Sequence, residues 1–214
     1  MLLSALFQNP IYLVIFIAFF VFALTIHELA HAWIAYRSGD PTAKYMGRLT
    51  LNPLAHLDPL GTLFFLIAGF GWAKPVPINP NNFHRREDEI KVSLAGITAN
   101  IVAAFILAIP IRYALFQGQT IDSSLTLTIL NFAVEINLIL AAFNLLPIFP
   151  LDGSHLVSYF LSPRARETFE SAGMPILFGL LILGRFSNFS IIAVAMEPVL
   201  RFLSFLVRGT FISG

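Results

Sequence analysis

The stretch IYLVIFIAFFVFALTIHELAHAWIAY, residues 11–36, decides the fold of this chain. Its apolar run is long enough to cross a bilayer of roughly 30 Å as a single helix. Three ionisable residues, His27, Glu28 and His31, interrupt the second half of the run. Burying such groups in hydrocarbon is costly, so they are expected to face protein or a water-filled cavity and to have a function. The stretch therefore predicts a transmembrane helix that carries a functional site.

The spacing of the two histidines indicates which site this is. His27 and His31 are four residues apart, so both rings project from one face of a helix. Glu28 completes an HExxH pattern, in which the histidines bind zinc and the glutamate acts as general base. A catalytic zinc usually has three protein ligands and leaves one position for water. The third ligand must then come from another segment at the same depth.

Asp152, in the sequence NLLPIFPLDG of residues 144–153, fits this requirement best. It follows the third predicted span at its cytoplasmic end, which is the end toward which His27 is expected to lie in the first span. Two prolines and a glycine bend the chain there, and irregular backbone at membrane depth is tolerated only where it lines protein or a cavity. The alternatives are His56, Asp58 and His155.

Composition supports a membrane protein. Of 214 residues, 57% are hydrophobic and 12% are charged, and soluble domains carry about twice that share of charge. The net charge of +1 indicates no nucleic-acid partner, because such partners are bound by strongly basic surfaces. There is no cysteine, which excludes thiolate zinc sites and disulfides. A metal must therefore be held by His, Asp or Glu.

The hydropathy pattern predicts an all-α polytopic membrane protein with three core transmembrane helices, one or two C-terminal helices and a short extended β segment near the active site. The core spans are predicted at residues 11–36, 92–115 and 125–146. The chain is interpreted as a single domain, 1–214, with its catalytic core at about 11–160.

The remaining segments are less regular. Residues 147–174 are predicted to be a loop with a short helix, and residues 175–207 to form one bent helix or two shorter ones. Residues 1–10 are expected to form an interfacial helix or to extend the first span, and residues 60–70 a short re-entrant or interfacial element. Basic residues concentrate in 37–91 and recur in 147–174, so the positive-inside rule places both on the cytoplasmic side.

Residues 71–77 form the predicted extended segment. Its residues are Gly71, Trp72, Ala73, Lys74, Pro75, Val76 and Pro77. Proline forbids helix here and valine favours strand. An extended segment with a free edge can bind an unwound peptide by strand addition, and this segment is the predicted substrate-binding edge.

Several motifs together resemble the site-2 protease family of intramembrane zinc metalloproteases. HELAH in the first span and N-x-x-P-x-x-P-L-D-G after the third resemble its two signature sequences. SLAGITAN, residues 93–100, resembles the family's A-G-P-x-x-N helix start but has Ile97 where the family usually has proline. Residues 71–77 resemble the G-x-x-x-P-V-P segment of the compact prokaryotic branch, and neither a PDZ nor a CBS domain is found.

The resemblance implies a cofactor and a set of site residues. Zn²⁺ would be bound by His27, His31 and Asp152, with Glu28 as the catalytic base. Asn144 would hold the substrate or stabilise the oxyanion, and Asn100 is placed with the substrate-binding residues. For Asn144 the alternative is a role at the helix end, and for Asn100 it is a hydrogen bond between helices.

The resemblance also implies the partners and the location. The substrates would be transmembrane proteins, cleaved in the lipid bilayer of a prokaryotic inner membrane with the active site toward the cytoplasm. The oligomeric state stays open, and Glu135 in the third span has no role in this interpretation. A metal transporter and a membrane-protein scaffold are the competing classes. Glu28→Gln separates the three, because only a protease should lose its activity while keeping zinc.

Overall fold

The computed structural model describes residues 10–68, 71–187 and 189–209. These residues contain eight α-helices: α1 Pro10–Arg37, α2 Thr42–Tyr45, α3 Pro59–Ala68, α4 Asp88–Phe116, α5 Leu125–Asn144, α6 Asp152–Phe160, α7 Pro163–Phe186 and α8 Ile191–Arg208. Three short 3-10 turns lie between them, at Pro53–Ala55, Pro80–Asn82 and Ile121–Ser123. The predicted interfacial helix at residues 1–10 falls almost entirely outside the described residues.

The prediction of an all-α polytopic membrane protein is confirmed. Helices α1, α4, α5 and α7 are each long and apolar enough to cross a membrane. The three predicted core spans correspond to α1, α4 and α5, with ends within a few residues of those expected. This protein is an integral membrane protein.

Helices α4 and α5 form the centre of the bundle, and α1 and α8 pack against them. The contact surface of α4 contains the fully buried Ala104 and Ala108, which face Val134 and Leu138 of α5. Small residues let helix backbones approach closely, which is how helices associate in lipid. Leu203 and Val207 of α8 complete this core. The bundle thereby fixes the part of α4 that faces α1.

The C-terminal region differs from the prediction in one respect. It forms two helices, but α7 begins at Pro163, well before the predicted residue 175. Ser162 caps the helix by accepting a hydrogen bond from the backbone N–H of Ala165, and proline is favoured in a first turn. Pro175 lies inside the helix. The charged first turns resemble a loop in sequence, but an ion pair between Arg166 and Glu170 stabilises them as helix.

The predicted β segment is present only as a single bridge. In the described residues Ala73 pairs with Leu57 in antiparallel orientation, and the backbone N–H of Lys74 donates to His56 O at 2.9 Å. The pairing does not extend into a strand, because Pro75 and Pro77 have no N–H to donate. The predicted short element at 60–70 is helix α3 up to Ala68, and residues 69–70 lie outside the described part of the chain.

Candidate metal centre

The structure brings His27, His31 and Asp152 together. The histidines lie on successive turns of α1, and Asp152 is the first residue of α6. Asp152 Oδ2 is 3.1 Å from His27 Nε2 and 3.3 Å from His31 Nε2. The two Nε2 atoms are 3.0 Å apart. Among the described residues this is the one group of three such side chains whose donor atoms could share a metal ion.

The hydrogen bonds behind the rings fix their protonation. Asn100 donates its side-chain amide to Ala23 O and to Asn137 Oδ1, so its Oδ1 is an acceptor for His27 Nδ1 at 2.7 Å. Val92 O, which can only accept, lies 2.7 Å from His31 Nδ1. Each Nδ1 therefore carries a hydrogen, and a neutral ring then has a bare Nε2. Metal-binding histidines are held in this way, with the second nitrogen donating to protein.

The centre has the chemistry of a zinc site. In their neutral forms the two imidazoles present bare nitrogens beside a carboxylate oxygen, and Asp152 Oδ2 is buried without a hydrogen-bond partner. Such a group of acceptors needs a cation between them. A tetrahedral zinc with bonds near 2.1 Å separates its ligand atoms by roughly 3.4 Å, close to the three distances found. The residues present fit a catalytic zinc with a free fourth position.

The charge of Asp152 also fits this role. Burial by itself raises the pKa of a carboxyl group, but positive charge on His31 and His27 outweighs this effect while their rings are protonated, and a metal ion would supply the same charge beside the neutral rings. The pKa of Asp152 therefore lies well below its ordinary range, and the side chain is an anion at neutral pH. A carboxylate must be ionised to bind a metal.

Helix α4 forms the back wall of the centre. A β-carbon added at Gly96 would lie 2.4 Å from His31 Nε2 and 2.5 Å from His27 Cε1. Contacts this short are not possible, so any side chain at position 96 would force the imidazole rings to move. The glycine of the SLAGITAN motif thus makes space for both rings.

Asn100 lies on the same helix, directly behind His27. It is fully buried, and its side chain is used by His27, Ala23 and Asn137. This arrangement corresponds to the interhelical hydrogen bond considered as an alternative. The substrate-binding role of Asn100 stays a prediction.

The other predicted site residues lie on three separate parts of the chain: Glu28 on α1, Asn144 at the end of α5 and residues 71–77 between α3 and α4. Glu28 is 8% exposed. Asn144 ends α5 and donates its side-chain amide to Leu140 O at 3.1 Å. Residues 71–77 lie beside the 56–57 backbone, and the ring of Trp72 packs against Phe64 of α3 and Phe178 of α7. Their catalytic and substrate-binding roles stay predictions.

The alternative ligands are used elsewhere. His56 is fully buried, with its Nε2 2.9 Å from Thr50 O. His155 lies 3.8 Å from Glu89, and Asp58 accepts a hydrogen bond from the backbone of Gly61.

Sequence reasoning left two charged residues, Glu135 and Arg48, without a role. Glu135 accepts a hydrogen bond from the buried Arg208 at 2.6 Å, in an ion pair that joins α5 to α8. Arg48, an isolated basic residue in a loop, is buried and bonded to residues 74 and 75. Neither pairing has a signal in the sequence, because each joins segments that are far apart in the chain.

Known proteins similar to this chain are named as zinc metalloproteases, which agrees with a zinc site at this centre. A family model described as peptidase family M50 matches residues 109–184. YwhC of Bacillus subtilis, named as a zinc metalloprotease, is 37% identical over 86% of this chain and 88% of its own length. Rip2 of Mycobacterium tuberculosis, which carries the same description, is 31% identical over 79% of this chain and 66% of its own. No solved structure matches significantly.

The extent of these similarities settles the family. YwhC is matched over nearly its whole length, and the zinc metalloprotease MJ0392 of Methanocaldococcus jannaschii is 25% identical over 76% of this chain and 38% of its own. The resemblance found in the sequence motifs is confirmed. This chain belongs to peptidase family M50, the site-2 proteases, and is a zinc-dependent metalloprotease of the membrane.

Proposed function

We propose that this protein is an intramembrane protease that hydrolyses peptide bonds within or near transmembrane segments of other membrane proteins. The observation that carries the proposal is the convergence of His27, His31 and Asp152 on the inner face of a membrane-spanning helix. Relatives named as zinc metalloproteases support the reaction class. The single domain 1–214, with its catalytic core at about 11–160, is part of this proposal.

His27, His31 and Asp152 would hold the zinc ion. When bound, zinc lowers the pKa of water toward neutrality and polarises a carbonyl oxygen. Asn100 and the carbonyl of Val92 would hold the two rings so that both Nε2 atoms face the ion. Their positions leave one side of the centre for water and substrate.

Glu28 would act as the general base and acid. It accepts the proton of the attacking water while the new C–O bond forms at the scissile carbonyl. It then delivers that proton to the amide nitrogen as the C–N bond breaks, which releases a carboxylic acid and an amine. Asn144 would stabilise the negative charge that develops on the carbonyl oxygen. One N–H of its amide is used by Leu140 O, and the second can serve this purpose.

The substrate helix has to unwind before it is cut, and residues 71–77 would bind the unwound part. The bond from Lys74 N to His56 O indicates that Leu57 and Ala73 form a non-hydrogen-bonded pair. In such a pair the N–H and C=O of each residue point away from the other. The backbone of Ala73 therefore faces the outer edge, where a substrate strand can pair with it.

The side from which substrate enters follows from charge. Basic residues concentrate between α1 and α4, and Arg164 and Arg166 recur in the first turns of α7. The positive-inside rule then places both regions, and the mouth of the centre, toward the cytoplasm. We assign the protein to the inner membrane of a prokaryotic cell, since its relatives come from bacteria and an archaeon.

Zinc content and cleavage test the proposal together. We expect about one zinc per chain in the purified native protein and markedly less in Asp152→Asn, because one of three ligands is weakened. Asp122→Asn is the matched control, since Asp122 is exposed on another loop. Glu28→Gln should keep its zinc and lose cleavage of a single-span test protein by about a hundredfold or more. A folded native protein that stays free of zinc when zinc is supplied would contradict the proposal.

A further inference from the structure

Arg48 is a buried cation attached to the predicted substrate-binding segment. Its side chain is 4% exposed, although it lies in the loop between α2 and α3. Nη1 donates to Pro75 O at 2.9 Å and Nη2 donates to Lys74 O at 2.5 Å. The planar fork of one guanidinium thus holds two successive carbonyl groups.

These bonds complete the anchoring of the segment. Lys74 donates its own N–H to His56 O, so this one residue is held through both of its backbone polar groups. Pro75 can offer only its carbonyl, and Arg48 uses it. Arg48 therefore fixes the position of residues 74 and 75 along the chain direction. In the described part of the chain, no backbone hydrogen bond occupies the outer edge of the neighbouring Ala73.

The same guanidinium is linked electrostatically to the predicted base. Burial lowers the pKa of Arg48, and the negative charge of Glu28 opposes this effect. Nε of Arg48 is buried and has no hydrogen-bond partner. One side chain is therefore bonded to the substrate-binding segment and lies within the field of Glu28.

We propose that Arg48 is a positioning residue that sets the register of a bound substrate strand relative to Glu28, and so selects the peptide bond that is cut. This inference rests on the proposed function, because it assumes that residues 71–77 bind the substrate. A substrate strand paired with Ala73 takes its register from that residue. A slip of residues 73–75 would move a different carbonyl to the centre.

Hydrogen exchange tests the anchoring without any substrate. We expect the amide of Lys74, which donates to His56 O, to exchange about 10- to 100-fold faster in Arg48→Met, because hydrogen bonds to a charged group that hold this residue in place are lost. Arg48→Lys should give an intermediate value, since an ammonium cannot form the two-pronged contact. Zinc per chain should equal that of the native protein in both. Exchange that stays at the native rate in Arg48→Met would overturn the proposal.

The position of the cut tests the register. The probe is a single-span protein whose apolar helix of about 20 residues contains an Asn-Pro pair to unwind it. Mass spectrometry of the products should show one main cleavage site for the native enzyme. Arg48→Lys and Arg48→Met should cut at several neighbouring bonds, with kcat/KM lower by about a hundredfold in Arg48→Met.

Arg208→Lys is the matched control. Arg208 is also a buried arginine, but its hydrogen bonds go to Glu135 and Ser204. We expect it to leave the cleavage site unchanged. A single, native cleavage site in both Arg48 variants would overturn the register role even if their rates are low. A native enzyme that binds zinc but never cuts the probe would count against the proposed function, while hydrogen exchange still decides whether Arg48 anchors the segment.

Discussion

Gly96 lies against the ring of His27, so closely that a β-carbon at position 96 would be 2.5 Å from Cε1. The same carbon would be 2.4 Å from His31 Nε2. Helix α4 packs against α5 on its other side, so the rings would have to give way rather than the helix. The glycine is therefore a condition for the geometry of the metal centre.

Gly96→Ala should displace one or both imidazole rings. We expect zinc affinity to fall by at least about tenfold, because ligand positions must hold to within a fraction of an ångström. The measurement is a zinc titration of the purified protein. Gly179→Ala is the matched control, since a β-carbon there would meet nothing within 4 Å, and it should leave zinc binding unchanged. Equal affinities for the two variants would contradict the prediction.

Asn100→Ala should lower the zinc affinity, because it removes a residue that holds the His27 ring. It removes the acceptor of His27 Nδ1 and leaves the ring free to rotate or to change its tautomer. Loss of such a partner typically costs about 10- to 100-fold in metal affinity. Asn137→Ala, which removes only a partner of Asn100, should have a smaller effect. A zinc affinity that is the same in Asn100→Ala as in the native chain would show that the bond is dispensable.

The metal ligands could be predicted from the sequence better than the residues that position the site around them. His27, His31 and Asp152 carry a sequence pattern because the metal dictates both residue type and spacing. Asn100 was found by resemblance, but its hydrogen bond to His27 was not, because that contact depends on how α1 and α4 pack. Arg48 carries no pattern at all: a single arginine in a loop is normally exposed.

The same distinction applies to the fold. Spans α1, α4 and α5 could be predicted because apolar length alone defines them. The start of α7 was misplaced because its charged first turns are stabilised by ion pairs from other elements, such as Arg166 with Glu89. The role of Glu135 could not be seen because its partner, Arg208, lies on a helix that approaches only in the folded protein.

The pair of Glu135 and Arg208 should stabilise the attachment of α8. In Glu135→Leu the buried Arg208 keeps a bond to Ser204 but loses its counter-ion, and we expect a loss of about 2 kcal/mol or more in unfolding free energy. The double variant Glu135→Leu with Arg208→Met should recover part of that loss, because both charges are removed. Denaturation in detergent measures this cycle. Additive losses would show that the two residues do not interact.

Asp40 should give the fold a dependence on acidic pH. Burial raises the pKa of this fully buried carboxyl, but hydrogen bonds from Asn82, Thr42 and the backbone of Asn79 outweigh it, so the pKa is lower than the ordinary 3.8. The stabilisation is therefore complete above pH 3.8 and is lost as pH falls through the lower value of the folded state.

A comparison with Asp40→Asn checks this sign. The native protein should have the higher melting temperature near pH 6. The difference should shrink as pH falls from about 4 toward the lower pKa of the folded state, because the carboxyl of the unfolded chain takes up a proton first. Thermal unfolding in detergent over this pH range is the measurement. A difference that stays constant with pH would mean that the charge of Asp40 has no part in holding residues 79–82.

The order in which the chain is made has a consequence for the metal centre. His27 and His31 enter the membrane with the first helix, but Asp152 follows only after α4 and α5. A growing chain thus holds two imidazoles without their third partner until most of the bundle has been inserted. Firm zinc binding becomes possible only at that stage, so the enzyme cannot acquire its activity before α4 and α5 are in place.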